Sequence, residues 1–325
     1  MPEEPGLKGS CDDSRADIHD LNSCYHLRLQ NALGLPVKSS ESVFLDIRGL
    51  RYHCRCWGDS APPKVFLLHG WMDVSASFQF LVDAFRHAWH VIAPDWRGYG
   101  LTDRGGSDSY WFPDYFADLE AILAGFQAAG PVLLVGHSMG GNVAAMYAGI
   151  RPERVARLVN MEGFGLNDSR PEDAPSRYAR WLDQIKKVAR LRDYGSFDEL
   201  ADRLCANNSR LTPERALFLA QHWGMATANG RVALRADPAH KLVNPVLYRL
   251  EEAKACWRGI TAPVLWIEGE TSQNASALRM SASDRDSRKA SFSNLVERTI
   301  PDSGHMIHHD QPELVAAIVE DFLLR

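Results

Sequence analysis

The chain of 325 residues contains no apolar run approaching the ~18 residues that a membrane-crossing helix requires, so no membrane span is expected. Its opening residues, MPEEPGLKGSCDD, lack the apolar stretch of a secretory signal and suggest a cytoplasmic protein. Cysteine is sparse: Cys11, Cys24, Cys54, Cys56, Cys205 and Cys256 are scattered, and no Cys or His pairs recur at zinc-like spacing. This excludes a disulfide scaffold and predicts free thiols in a reducing compartment, with Cys54 and Cys56 on one face of a strand. Neither sign of charge dominates, with 36 basic residues against 41 acidic and a net charge of −5. Without a basic stripe, nucleic acid is not an expected partner. There is no repeat, no metal constellation and no phosphate-cradling glycine loop, so neither metal nor cofactor is expected. What is present is ordinary for a folded domain: 45% apolar, 10% aromatic and 24% charged residues. A chain of this size and composition can bury a stable core without staples.

Residues 1–40 are polar and mixed, and read as an extension in which Leu21, Tyr25, Leu27 and Leu29 suggest at most a short helix. From Ser42 onward, SVFLDIRGLRYHCRCWG predicts a hairpin turning at Arg48-Gly49. Short, nearly continuous apolar runs follow at VFLL (65–68), HVIAP (90–94), VLLV (132–135), VARLVNM (155–161) and PVLWI (263–267). Such runs suit parallel strands buried on both faces. Helical stripes lie between them, at Tyr115, Leu119, Ile122, Leu123 and Phe126, and again at Leu314, Val315, Ile318, Val319 and Phe322 after Gln311-Pro312. The alternation predicts a doubly wound, mostly parallel α/β sheet. It stops between Gly163 and about Gly259, where stripes such as Tyr178, Trp181, Leu182 and Ile185 predict helices and little strand. The expected organisation is therefore a sheet domain over 41–163 and 260–325, interrupted by a helical cap over 164–259. A cap there would lie across the carboxyl ends of the strands, where open α/β sheets bind ligands. The polar segment 276–294 reads as a solvated helix with its connection.

The strongest chemical signal is Gly136-His137-Ser138-Met139-Gly140, between the run VLLV and the helical NVAAMYAG. A G-x-S-x-G pattern on a strand–turn–helix exposes a serine hydroxyl at the top of a sheet and aims a helix-start amide at the reacting carbonyl. A serine nucleophile needs a base. Among twelve histidines, His305 in Asp302-Ser303-Gly304-His305-Met306 follows the strand-like VERTI (296–300) and precedes the last helix, on a loop that returns to the same sheet edge. His308 and His309 read as surface residues or residues leading into the last helix, and His137 as pointing away from Ser138. Asp95 and Asp103 read as loop-shaping, and Asp73 as an anchor beside Trp71.

With these motifs in order, the sequence from Ser42 onward resembles the α/β-hydrolase family, in its serine-nucleophile branch with a helical cap. The resemblance rests on His69-Gly70-Trp71, on Asp95-Trp96-Arg97-Gly98-Tyr99-Gly100, on the GHSMGG elbow and on the SGH loop. It implies an α/β-hydrolase fold and an oxyanion hole made by the amides of Met139 and Trp71. The commonest family pattern puts an aspartate after the seventh strand, in G-x-x-D. Here PVLWIE runs into Gly269-Glu270-Thr271-Ser272, and Ser272 holds the aspartate position. A serine cannot stabilise an imidazolium as a carboxylate does. Glu162, ending the run VARLVNM, stands where some haloalkane dehalogenases of this fold carry a catalytic glutamate. Glu268 and Glu270 are its rivals near the seventh-strand site.

Dehalogenases and epoxide hydrolases of the fold use an aspartate at the elbow, so Ser138 points instead to acyl transfer. The expected activity is hydrolysis of a small ester-like substrate, with Ser138 as nucleophile, His305 as base and Glu162 as acid. Phe164, Trp181 and Trp223 are candidate pocket residues beside Trp71. Hydrolysis of C–C, amide or thioester bonds, and a ligand receptor without turnover, are the alternatives that these residues leave open. The oligomeric state is not expressed in the sequence.

Overall fold

The computed structural model describes residues 37–325 apart from Ser107 and Val188, so the extension through residue 36, with Cys11 and Cys24, lies outside the described residues. Strands β1 (Ser40–Ile47) and β2 (Leu50–Trp57) form the predicted hairpin. Arg48 and Gly49 both have positive φ, 51° and 79°, the backbone twist that a two-residue hairpin turn requires. Then come β3 (Lys64–Leu68), α1 (Gln79–Ala84), β4 (His90–Pro94), α2 (Phe112–Phe126), β5 (Val132–His137), α3 (Met139–Ile150) and β6 (Val155–Met161). After an insertion, the sheet resumes with β9 (Val264–Gly269) and β10 (Leu295–Ile300). The strand order is β1-β2-β4-β3-β5-β6-β9-β10, antiparallel at the β1–β2 and β2–β4 pairs and parallel from β4 to β10.

The continuous apolar runs are explained by burial on both faces. In β3, Phe66 and Leu68 enter one core cluster with Tyr115, Leu119 and Ile122 of α2 and Val143 and Tyr147 of α3. Val65 and Leu67 enter the other, with Leu81 and Val82 of α1 and Val315 and Val319 of the last helix. Alternate residues of one strand thus serve two layers. Cys54 and Cys56 share the first cluster, and with Cys205 and Cys256 they are free thiols. Among the described residues, no helix is long and apolar enough to cross a membrane.

The insertion contains α4 (Ala174–Ile185), α5 (Phe197–Asn207), α6 (Pro213–Trp223), a ribbon of β7 (Gly224–Ala226) with β8 (Val232–Leu234), and α7 (Leu250–Arg258). The ribbon was not expected; strands of three residues are too short to show a periodicity. Helix α7, placed by sequence within the cap, packs on the sheet layer. Its Trp257 and Ala253 belong to the first core cluster, and Gly149 of α3 passes so close to the Cys256 carbonyl that any side chain there would collide. The segment read as solvated forms α8 (Ala282–Lys289), closed by a Ser281–Asp284 capping box. It is only partly solvated: Arg288 is buried and donates from Nη1 to the carbonyls of Phe164 (2.7 Å) and Leu166 (3.0 Å). The chain ends with a helical turn at Ile307–Asp310 and helix α9 (Pro312–Leu323), whose Pro312 occupies the first turn.

Candidate active site

Ser138 sits between β5 and α3 with φ 52° and ψ −115°, a conformation that L-residues rarely adopt. Such strain persists only where the surroundings over-determine it. Here the Ser138 amide donates to the Met161 carbonyl (2.8 Å), and its own carbonyl accepts from the Asn142 amide (3.0 Å). The flanking glycines are required by space. A Cβ on Gly140 would collide with the Leu68 carbonyl, and one on Gly136 with the Gly140 carbonyl. The elbow therefore presses the start of α3 against β3. The Met139 amide lies in the first turn of α3, where amides have no partner within the helix.

Glu162 follows β6 directly, has φ 60° and is fully buried. Its amide donates to the Ile267 carbonyl of β9 (2.9 Å), which locks the end of β6 to its neighbour. Three donors meet its side chain. The Gly269 amide donates to Oε1 (2.7 Å), the Ser272 hydroxyl to Oε2 (2.6 Å), and His305 Nδ1 lies 3.0 Å from Oε2. A carboxylate is an acceptor only, so Nδ1 carries a proton in this contact. Ser272, at the position where an aspartate was expected, is thus a donor to the carboxylate that reaches His305. The rivals are engaged elsewhere. Buried Glu268 takes the Trp266 indole N–H (2.7 Å) and pairs with Lys289 (2.8 Å) and Arg285. Exposed Glu270 accepts from the Asp302 amide (3.1 Å).

His137 is buried with its ring 4.8 Å from that of His305, and its Nε2 donates to the His305 carbonyl (2.9 Å). It holds the base's loop rather than facing solvent. Burial, with the neighbouring His305 adding to it, keeps this ring well below the usual imidazole range. The Gly70 turn lies against the elbow; a Cβ on Gly70 would sit 3.2 Å from Ser138 Cβ. His69 fixes that turn, donating from Nδ1 to the Gly70 carbonyl (2.8 Å) and accepting the Trp96 amide at Nε2 (2.9 Å). Its burial lowers its pKa to about 4. Asp95 joins the adjoining loops through the Ser75 and Leu101 amides and His53, and Asp103 accepts from the Arg51 amide (2.8 Å).

Ser138, Met139, Glu162 and Trp71 line a cavity of about 360 Å³. Its walls are largely aromatic, with Tyr110, Trp111, Phe112, Tyr115 and Phe164, and carry Asn142, Asn244 and Asn274 as polar points. Of the candidate pocket aromatics, Trp71 and Phe164 line it. Trp223 lines a second cavity of about 240 Å³ that shares Trp71 with the first, and Trp181 lines neither. Helix α4 buries no residue fully: Tyr178 and Leu182 of its stripe remain exposed, and Trp181 is half-buried. Sequence reading missed His240, which lines the first cavity stacked between Tyr99 (3.9 Å) and Tyr110 (3.7 Å). Nothing local marks it, because its two aromatic neighbours come from distant loops. The surface reading of His308 and His309 is corrected: both are buried, in the helical turn that leads into the last helix. The turn Ile307–Asp310 packs inward, where His308 lies against Phe78 (5.2 Å) and against His137 (4.5 Å) at the end of central strand β5.

Comparison with known proteins bears on the fold. Residues 63–312 match the family described as the alpha/beta hydrolase fold. The serine hydrolase-like protein of Danio rerio is 26% identical over 281 residues, covering 82% of this chain and 83% of that protein. Serine hydrolase-like protein 2 of Homo sapiens is 25% identical over 281 residues, covering 83% and 89%. Among solved structures, a thioesterase domain from the curacin biosynthetic pathway superposes with a TM-score of 0.78 at 22% identity, covering 87% of this chain and 99% of that one. Match and architecture together place the chain in the α/β-hydrolase fold family, as a hydrolase.

Proposed function

We propose that the protein is a serine hydrolase cleaving a small carboxylic ester through an acyl-enzyme intermediate. The observation that carries this reading is the Glu162–His305 pair, with Glu162 and a strained Ser138 lining one cavity. Ser138 Oγ attacks the ester carbonyl while His305 Nε2 takes its proton. Glu162 holds the Nδ1–H tautomer and offsets the charge of the imidazolium. The amides of Met139 and Trp71 stabilise the oxyanion. His305 then returns the proton to the departing alcohol. A water, deprotonated by the same nitrogen, releases the acid and restores Ser138. The aromatic walls favour an apolar acyl or alkyl group. The insertion acts as a cap that sets substrate range, since Ala239, His240, Leu242 and Asn244 lie on the cavity wall. A small-molecule substrate is the only partner this mechanism needs, and the free thiols fit a reducing compartment such as the cytoplasm.

The test is a fluorophosphonate probe with a panel of short aryl esters, thioesters and amides. Wild type is expected to be labelled at Ser138 and to turn over esters, and Ser138→Ala to lose both while keeping its melting temperature. An unlabelled Ser138 in folded protein overturns the nucleophile assignment. Labelling without turnover of any panel member points to a ligand receptor instead.

A further inference from the structure

Behind the nucleophile, three buried side chains converge from a loop, a strand end and a helical turn. Asp73 follows the oxyanion turn by two residues, His137 precedes Ser138, and His308 lies three residues beyond His305. One ligand-capable atom from each lies within 4.8 Å of the other two. Asp73 Oδ2, His137 Nδ1 and both ring nitrogens of His308 are buried without a hydrogen-bond partner. Buried polar atoms are nearly always satisfied, so one atom from each of the three residues, gathered this closely, calls for a common partner.

The chemistry of the set narrows that partner. The Nε2–H of His137 is committed to the His305 carbonyl, which leaves Nδ1 as a lone pair. A ligating histidine usually has its other nitrogen fixed in this way. Asp73 Oδ1 takes the Val74 amide (2.8 Å) and the Ser77 hydroxyl, while Oδ2 stays open. Among the described ion pairs, none involves Asp73, so its carboxylate is buried without a cation. Burying a carboxylate unpaired is costly, and a cation removes that cost. Two imidazoles with one carboxylate suit a first-row transition ion rather than the all-oxygen shell of magnesium or calcium.

We propose that Asp73, His137 and His308 form a buried binding site for a divalent cation of the zinc class, which ties together the segments carrying the oxyanion turn, the nucleophile and the base. Bonds of about 2.1 Å in a tetrahedral arrangement place ligand atoms roughly 3.4 Å apart, so separations within 4.8 Å need to close by up to about 1.4 Å. Asp73 also lines the second cavity, which provides a route inward. The cation binds away from the carbonyl-attacking face and takes no part in acyl transfer.

The experiment is a titration of chelator-treated protein with Co²⁺ and with Zn²⁺. Expected are one equivalent bound, visible ligand-field bands of a nitrogen–oxygen site without thiolate charge transfer, and a higher melting temperature with Zn²⁺. Asp73→Asn and His308→Phe are each expected to weaken binding at least about tenfold and to lose the thermal shift. Cys205→Ser with Cys256→Ser should change neither. Because Asp73→Asn is nearly isosteric, a failed fold in the histidine variant still leaves one informative variant. Histidine ring resonances of the wild type, followed during the zinc titration, report the site with no substitution at all. The inference is overturned if wild type shows no cobalt bands and no thermal shift. In that case the cluster holds water only. It is also overturned if the Asp73 and His308 variants bind as tightly as wild type, or if the ring resonances of His137 and His308 do not move. No readout uses turnover, so failure here and failure of the hydrolase reading are separately visible.

Discussion

Replacing Glu162 by glutamine keeps volume and backbone but reverses one hydrogen-bonding atom. The carboxylate accepts from the Gly269 amide (2.7 Å), the Ser272 hydroxyl (2.6 Å) and His305 Nδ1 (3.0 Å). The Gly269 amide can only donate, so the amide oxygen of glutamine must stay with it. The NH2 group then faces Ser272 and His305. The Ser272 hydroxyl can rotate to accept, whereas His305 can accept only by moving its proton from Nδ1 to Nε2. That tautomer puts the hydrogen on Nε2 and, in the proposed mechanism, removes the base. Loss of tautomer control in a Ser-His-acid triad lowers kcat about 10³–10⁴-fold, or roughly 4–5.5 kcal/mol of barrier. We therefore expect Glu162→Gln to lose about three orders of magnitude in kcat on an aryl ester, with KM little changed and the fold intact by thermal melting. Adding Ser272→Asp should recover part of that loss, because the Ser272 side chain already reaches the atom that His305 contacts. A Glu162→Gln protein retaining kcat within tenfold of wild type would refute the reasoning. So would a Glu270→Gln protein showing the large loss in its place.

Other outcomes follow from the same structure. Glu268→Gln should lower the melting temperature by breaking the buried contacts to Trp266, Lys289 and Arg285, while kcat stays near wild type in the aryl ester assay. Gly140→Ala should abolish soluble folded protein, or unfold it by several kcal/mol in a urea titration, because its Cβ collides with the Leu68 backbone. Burial lowers the pKa of His69 to about 4 and of His222 and His240 to about 3. The unfolded chain therefore binds more protons than the folded one below about pH 6.5, and stability falls as pH drops from there toward 4, by up to about 1.4 kcal/mol per pH unit per histidine. Melting curves across that range should show the decline, and His222→Gln should make it shallower. A melting temperature flat from pH 7 to 5 would contradict neutral burial of these rings.

Much of the architecture was legible in the order of residues because buried parallel strands write continuous apolar runs and helices write stripes. Val65, Phe66, Leu67 and Leu68 reveal a strand with two covered faces before any neighbour is known. The elbow was legible for a local reason: Gly136, Ser138 and Gly140 solve a steric problem within five residues. Local order left three carboxylates open as partners of His305. Only the tertiary structure chose among them, since the contact depends on β6 and β9 lying side by side so that Glu162, Ser272 and His305 meet across more than a hundred residues. The same holds for Trp181, which shares a stripe with Tyr178 and Leu182 but never reaches the cavity, and for His240, clamped by two tyrosines from elsewhere in the chain. His308 and His309 show the limit most clearly. A polar pair before a helix reads as surface, and only the inward packing of that turn buries it. Sequence by itself determined which segments form the sheet and where its sharpest turn lies, because those are local consequences of burial pattern and glycine geometry. Which side chains meet at the top of the sheet was decided by strand order, a long-range property that no short stretch of sequence encodes.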